Sequence, residues 1–240
     1  MKKRTFVCAF VFFFFLSFNL RAQNFWLPDS GFRACLRQFF PALLTTQDSL
    51  KISVANNWNT YINLTGCGLK DLNGIQYFTH LNALYCSFNS LTSVPLLSNS
   101  ITILALNNNQ ISSISAFPTS LQKLDCGTNQ LSSLPLLPNT LTYLNCDGNL
   151  LTQLPALPNS LVNLSCNGNP IDSIAAFPTS LVTFYADWNK FTQLPPLPNT
   201  LRILSCPATP LTSLPPLPAS LINLSINQTH ILQIPPLPNT

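Results

Sequence analysis

Residues 141–160 read LTYLNCDGNLLTQLPALPNS and residues 161–180 read LVNLSCNGNPIDSIAAFPTS, so the apolar frame, the asparagine at the ninth position and the proline at the eighteenth recur after twenty residues. The same period runs without insertion from residue 81 onward, in copies that begin at Leu81, Ile101, Leu121, Leu141, Leu161, Leu181, Leu201 and Leu221. Their common pattern is L-x-x-L-x-C-x-x-N-x-L-x-x-L-P-x-L-P-x-S/T. One irregular copy precedes them: Ile62, Leu64, Cys67, Leu69, Leu72, Ile75 and Phe78 carry the same series, with Leu64 aligned to Cys86 at a spacing of 22. A sustained period of this length is the signature of a stacked repeat architecture, in which each unit buries its apolar face only against its neighbours.

Within each copy, L-x-L-x-C alternates apolar and variable residues, the period-two mark of a strand with one buried face. Strands that recur in the same direction pair in parallel about 4.8 Å apart, so each repeat adds one strand to a growing sheet. Prolines at the fifteenth and eighteenth positions, such as Pro135 with Pro138 and Pro155 with Pro158, forbid a regular helix on the return path. Twenty residues accommodate a strand plus an extended, polyproline-II-like return. Little helix is expected beyond the N-terminal cap.

The ninth position holds Asn89, Asn109, Asn129, Asn149, Asn169 and Asn189, then Thr209 and Thr229. An amide here satisfies backbone groups that would be buried unpaired where the chain turns inward, so this column reads as a structural ladder whose last two members are less well tied. The sixth position holds Cys86, Cys126, Cys146, Cys166 and Cys206, interchanged with Leu106, Ala186 and Ile226. Thiols that alternate with leucine, alanine and isoleucine behave as small buried hydrophobes, with disulfides between neighbouring strands or a metal cluster as the alternatives. No C-x-x-C pair or nearby histidine completes a ligand set, so no metal and no cofactor is expected. If a disulfide forms, Cys35 and Cys67, both near the cap, are the favoured pair.

Composition narrows the function. Charged residues make up 8% of the 240-residue chain, there are 21 prolines, and glutamate is absent, which leaves seven aspartates as the whole supply of acidic side chains. His80 and His230 lie at opposite ends of the array with no recognisable triad around either, so no catalysis is expected. Lys2, Lys3 and Arg4 precede an apolar run from Phe6 to Phe18, followed by Arg21 and Ala22. That run of about 13 residues is short of the roughly 20 that span a bilayer, so residues 1–22 read as a signal peptide cleaved after Ala22, with no membrane span afterwards. Its removal leaves seven basic residues against seven aspartates, and a nucleic-acid partner is not expected.

Residues 23–60 form the cap that a solenoid requires over its exposed first unit. Ser30 is placed to cap a helix whose apolar residues Phe32, Cys35, Leu36, Phe39 and Phe40 follow i, i+3, i+4 spacing up to Pro41, and a second short helix is expected over Val54 to Trp58. The stretches LPDSGFRACLRQFF, SLKISVANNW and LTGCGLKDLNGIQYFTHLNALYCSFNSLTSVP resemble the internalin-like cap and first repeats of bacterial surface leucine-rich-repeat proteins. The 20-residue LPxLPxSL units are similar to the short repeats of bacterial secreted effectors. The resemblance covers nearly all of residues 24–240. It implies a right-handed leucine-rich-repeat solenoid of the α/β horseshoe class, a concave sheet that binds a protein or other macromolecule, and secreted or cell-surface placement. Relatives often carry an aspartate- and glycine-rich calcium loop in the cap; here Thr45-Thr46-Gln47-Asp48-Ser49-Leu50 offers one carboxylate, and no calcium site is carried over.

If the sixth position points inward, the third, fifth and seventh face the concave side over residues 61–240. The partner-binding candidates cluster over repeats three to six: Lys123, Asp125, Tyr143, Asn145, Asp147, Tyr185, Asp187 and Trp188. Tyrosine, asparagine and aspartate on a rigid sheet give contact area with directed polar tips. The alternative is an ordinary solvated face, and Trp188 reads equally as packing against a neighbour. A protein ligand is the leading expectation, with a glycan bound through Tyr143 and Tyr185, or an effector's targeting portion lacking its catalytic domain, as alternatives. No closing cap follows Thr240, so a C-terminal cap is missing from the sequence, and self-association through that end is a further expectation.

Overall fold

The computed structural model describes residues 24–236. The expected signal peptide at 1–22, with its cleavage after Ala22, and the last residues of the final repeat lie outside the described residues.

The apolar positions of each repeat converge on one continuous core. At the first, fourth, sixth and eleventh positions, Leu121, Leu124, Cys126 and Leu131 are wholly buried, and the same holds for their counterparts in neighbouring copies such as Leu141, Leu144, Cys146 and Leu151. Burial of the fourth and sixth positions orients the strand between them. Nine short strands form one parallel sheet: β3 (Tyr61–Asn63), β4 (Ala83–Tyr85), β6 (Ile103–Ala105), β8 (Lys123–Asp125), β9 (Tyr143–Asn145), β10 (Asn163–Ser165), β11 (Thr183–Tyr185), β12 (Ile203–Ser205) and β13 (Asn223–Ser225). The register advances by one repeat per strand, Leu124 opposite Leu144 and Leu144 opposite Leu164, while the irregular first copy places Ile62 opposite Leu84. This is a leucine-rich-repeat solenoid.

The return path carries one parallel pair, β5 (Ser93–Val94) with β7 (Ser113–Ile114), and a 3-10 turn at Ile75–Tyr77; later repeats return without regular structure among the described residues. Each return closes with a hydrogen bond from the N–H of the next repeat's leading residue to the carbonyl three residues before it, a proline from Leu121 onward, as in Leu141 to Pro138 at 3.0 Å, and Ser98 for Ile101. The core stays buried where residues change. In the sixth repeat, Phe184 and Phe191 replace leucines, Ala186 replaces cysteine, and the rings of Phe177 and Phe184 meet with centroids 4.9 Å apart.

The cap pairs β1 (Asn24–Trp26) antiparallel with β2 (Ser49–Lys51) around α1 (Ser30–Phe39) and α2 (Ile52–Asn56). Two details correct the sequence reading. Asp29 rather than Ser30 caps α1: one carboxylate oxygen accepts from Phe32 N at 2.7 Å while the other accepts from Lys70 N and Asp71 N at 2.8 and 3.1 Å. One aspartate thus starts the helix and ties it to the first repeat, which a serine hydroxyl cannot span. The second helix is Ile52–Asn56 rather than Val54–Trp58, because β2 delivers the chain straight into it. Cys35 and Cys67 form a disulfide joining α1 to the first repeat. Asp48 is engaged by the Arg37 guanidinium.

Candidate functional site

The concave face is built on a backbone held by two side-chain ladders. In the first, Asn149 donates from Nδ2 to the carbonyls of Cys126 and Cys146, both at 3.1 Å, and accepts from Leu131 N at 2.9 Å, so one amide binds two successive repeats. Asn89, Asn109, Asn129, Asn169 and Asn189 make the same pattern. Thr209 makes one such bond, to Cys206 O at 2.6 Å within its own repeat, and Thr229 likewise reaches Ile226 O at 2.8 Å. The second ladder stands at the twentieth position, where Ser100, Thr140, Ser160, Ser180, Thr200 and Ser220 donate to the carbonyl of the leading residue of their own repeat, one turn of the solenoid back, at 2.6–2.8 Å. The Ser/Thr at this position carries no role in the sequence pattern alone; its recurrence in all eight copies is the available signal.

Between the ladders, the outward side chains of β9 to β12 and of the turns after them form a polar relay. Asn145 Oδ1 accepts from Asp147 N at 3.0 Å, and the Asp147 carboxylate accepts from Ser165 Oγ and from Asn167 N, both at 2.7 Å. Asn167 Oδ1 then accepts from Asp187 N at 2.8 Å, and Asp187 accepts from Ser205 Oγ at 2.7 Å. Each member positions the next, so Asn145, Asp147 and Asp187 are presented in fixed geometry across four strands. Ser165, Asn167 and Ser205 belong to the relay although they were outside the contact set expected from the sequence.

Lys123, Asp125 and Tyr143 come together around a shallow depression of about 300 Å³, floored by Ile103, Leu104 and Ala105. Burial raises the Asp125 pKa, opposed by a hydrogen bond from Gly127 N and reinforced by the charge of Asp147. Burial likewise raises the Tyr143 pKa, with Asp125 and Asp147 adding to the shift, so the phenol stays neutral and able to donate. The third, fifth and seventh columns are not uniformly open: Ala83, Ser87 and Ser205 are buried.

Tyr143 and Tyr185 are each 38% exposed and Trp188 is 67% exposed. Trp188 occupies the eighth position, which takes positive φ in every regular repeat: 56° at Phe88, 57° at Asn108, 52° at Thr128, 59° at Gly148, 61° at Gly168, 57° at Trp188, 53° at Ala208 and 59° at Gln228. Only two of these eight residues are glycine. An indole held in a left-handed backbone and turned to solvent is strain retained without burial in return. The five thiols at the sixth position are free and buried; Cys126 and Cys146 donate to Asn145 O and Ser165 O, both at 3.4 Å. Burial raises the pKa of all five.

The fold and its face define a leucine-rich-repeat scaffold, and its structural neighbours include bacterial leucine-rich-repeat proteins. The functional domain of InlJ from Listeria monocytogenes, which includes a cysteine ladder, is similar over 89% of this chain and 49% of its own, with 25% identity and a TM-score of 0.80. YopM, a leucine-rich effector protein from Yersinia pestis, is 29% identical over 71% of this chain and 54% of its own, with a TM-score of 0.63. A Shigella effector leucine-rich-repeat domain is 28% identical over 67% of this chain and 73% of its own, with a TM-score of 0.60. The chain spans about half the length of InlJ and YopM. No protein-family model and no curated protein matches it. Among the described residues no helix is long and apolar enough to cross a membrane.

Proposed function

We propose that this chain is an exported, secreted or surface-held binding protein that engages a protein partner through the concave face of repeats three to six, without catalysis of its own. The observation that carries the reading is the relay from Asn145 to Ser205 beside the exposed Tyr143, Tyr185 and Trp188: a preorganised polar strip flanked by aromatic anchors. Preorganisation lowers the ordering cost of association, and aromatic anchors supply most of the energy of a typical protein contact. Asp125, Asp147 and Asp187 outnumber Lys123 on this strip, so the complementary partner surface is basic and the association weakens with salt. Export rests on the Lys2–Arg4 and Phe6–Phe18 pattern ahead of Ala22.

Affinity capture with the native chain, a Tyr143→Ala/Tyr185→Ala/Trp188→Ala variant and a return-side Leu136→Ser variant tests the assignment. The expected partner is retained by the native and Leu136→Ser chains, lost with the triple variant and released by salt. Equal retention by all three chains would place binding elsewhere.

A further inference from the structure

A second concave pocket lies at the opposite end of the sheet from the last strand, where the cap meets edge strand β3. It has a volume of about 320 Å³ and is lined by Phe39 and Phe40 from the end of α1 and by Tyr61, Asn63 and Thr65 from β3 and the turn after it. Register sets Tyr61 opposite Ala83 and Asn63 opposite Tyr85, so these side chains share the outward face of the sheet.

Its aromatic groups are held but not covered. Phe39 is 57% exposed and Tyr61 56% exposed. Tyr85 meets Tyr61 edge-on at 6.4 Å, Trp58 meets Phe40 edge-on at 5.8 Å, and Trp58 Nε1 donates to Tyr61 O at 3.2 Å. The polar groups are set as well: Asn63 Oδ1 accepts from Thr65 N at 3.0 Å, which leaves the Nδ2 donors and the Thr65 hydroxyl without partners among the described residues. The Cys35–Cys67 disulfide joins the two walls, Cys35 lying one helical turn before Phe39 and Cys67 two residues after Thr65.

We propose that this pocket binds an uncharged sugar residue of an oligosaccharide, a site separate from, and independent of, the protein-binding strip on repeats three to six. A pyranose ring has an apolar C–H face and a rim of hydroxyls that both donate and accept. The pocket offers the matching set: exposed aromatic faces, a free amide N–H pair and a free hydroxyl, with no charged side chain in the lining. A purely apolar side chain would cover the Asn63 amide and Thr65 hydroxyl without pairing them, and a charged group would find no counter-ion. The volume sits at the small end of ligand pockets, roughly 300–1,000 Å³, and suits about one or two rings.

The test is an array of neutral hexose and N-acetylhexosamine oligosaccharides probed with the full chain, with hits measured by calorimetry. The site predicts binding weakened at least about tenfold by Tyr61→Ala and by Phe39→Ala, weakened by Asn63→Ala, reduced on opening the disulfide, and unchanged in Tyr185→Ala. Phe39 and Tyr61 are more than half exposed, so both variants should retain the native circular dichroism, which is recorded alongside. No neutral oligosaccharide bound by the folded chain, binding indifferent to Tyr61 and Phe39, or a pocket that takes aromatic peptides and no sugar would each overturn the proposal. None of these results bears on the partner of repeats three to six, which the Trp188 variants report.

Discussion

Trp188 concentrates the tension between stability and use at a single residue. Its backbone stands at φ 57°, where a side chain costs roughly 1–2 kcal/mol and glycine almost nothing, and its indole is 67% exposed, so little packing offsets the cost. Glycine's extra freedom in the unfolded chain returns roughly 0.5–1 kcal/mol of that difference. Trp188→Gly is therefore expected to stabilise the fold by about 0.5–1 kcal/mol in urea unfolding while losing the partner contact. Gly148 and Gly168 already occupy the same slot in two other repeats, which shows that the backbone accepts the change. A variant that is both less stable and fully binding would mean that the indole packs in the free protein and does no recognition.

At the scale of one repeat, stability comes from side chains that reach back twenty residues. Asn149 is 5% exposed and binds two carbonyls and an N–H of the surrounding repeats. Asn149→Ala leaves the Leu131 N–H buried and unpaired, while Asn129 and Asn169 still donate to the Cys126 and Cys146 carbonyls, and should cost about 2 kcal/mol, since an orphaned group forfeits about 1–3 kcal/mol. Thr209→Ala removes a single bond to Cys206 O and should cost about 1 kcal/mol. The reverse substitution is more telling: Thr209→Asn restores the donor to Ala186 O and the acceptor for Phe191 N, and should raise stability by about 1 kcal/mol. Chemical denaturation of the three variants orders them, and a Thr209→Asn chain no more stable than the native one would show that the later repeats have diverged beyond the shared frame.

Across the whole molecule the five buried thiols act together. Cys86, Cys126, Cys146, Cys166 and Cys206 all have raised pKa values in the folded chain because the thiolate would be desolvated. A folded pKa above the unfolded one means that the folded state holds the proton more tightly, so the stabilisation is complete below the unfolded thiol value of about 8.5 and is lost as pH climbs past it. Each thiol contributes a loss of about 1.4 kcal/mol per pH unit in that window. The unfolding midpoint should fall steeply between about pH 8.5 and 10. The thiols should also resist iodoacetamide at pH 8 until the chain unfolds. Labelling of the folded chain would show that the solenoid opens locally.

The period, the inward face of every strand and the asparagine ladder were legible in the sequence because each is repeated: an alternation seen once is weak, but eight aligned copies separate the apolar frame from the variable face. Proline at the fifteenth and eighteenth positions likewise excluded a helical return, since the ring removes a donor wherever it stands. The tertiary structure alone decided what depends on groups distant in the chain. Asp29 rather than Ser30 caps α1 because Lys70 and Asp71 share its carboxylate, the relay pairs Asp147 with Ser165 because neighbouring strands lie in register, and Phe39 and Tyr61 line one pocket where a disulfide ties the cap to the sheet edge. Local preference specifies which residues are buried, whereas the partners of the polar and aromatic residues left outside are chosen by the stacking of one repeat upon the next.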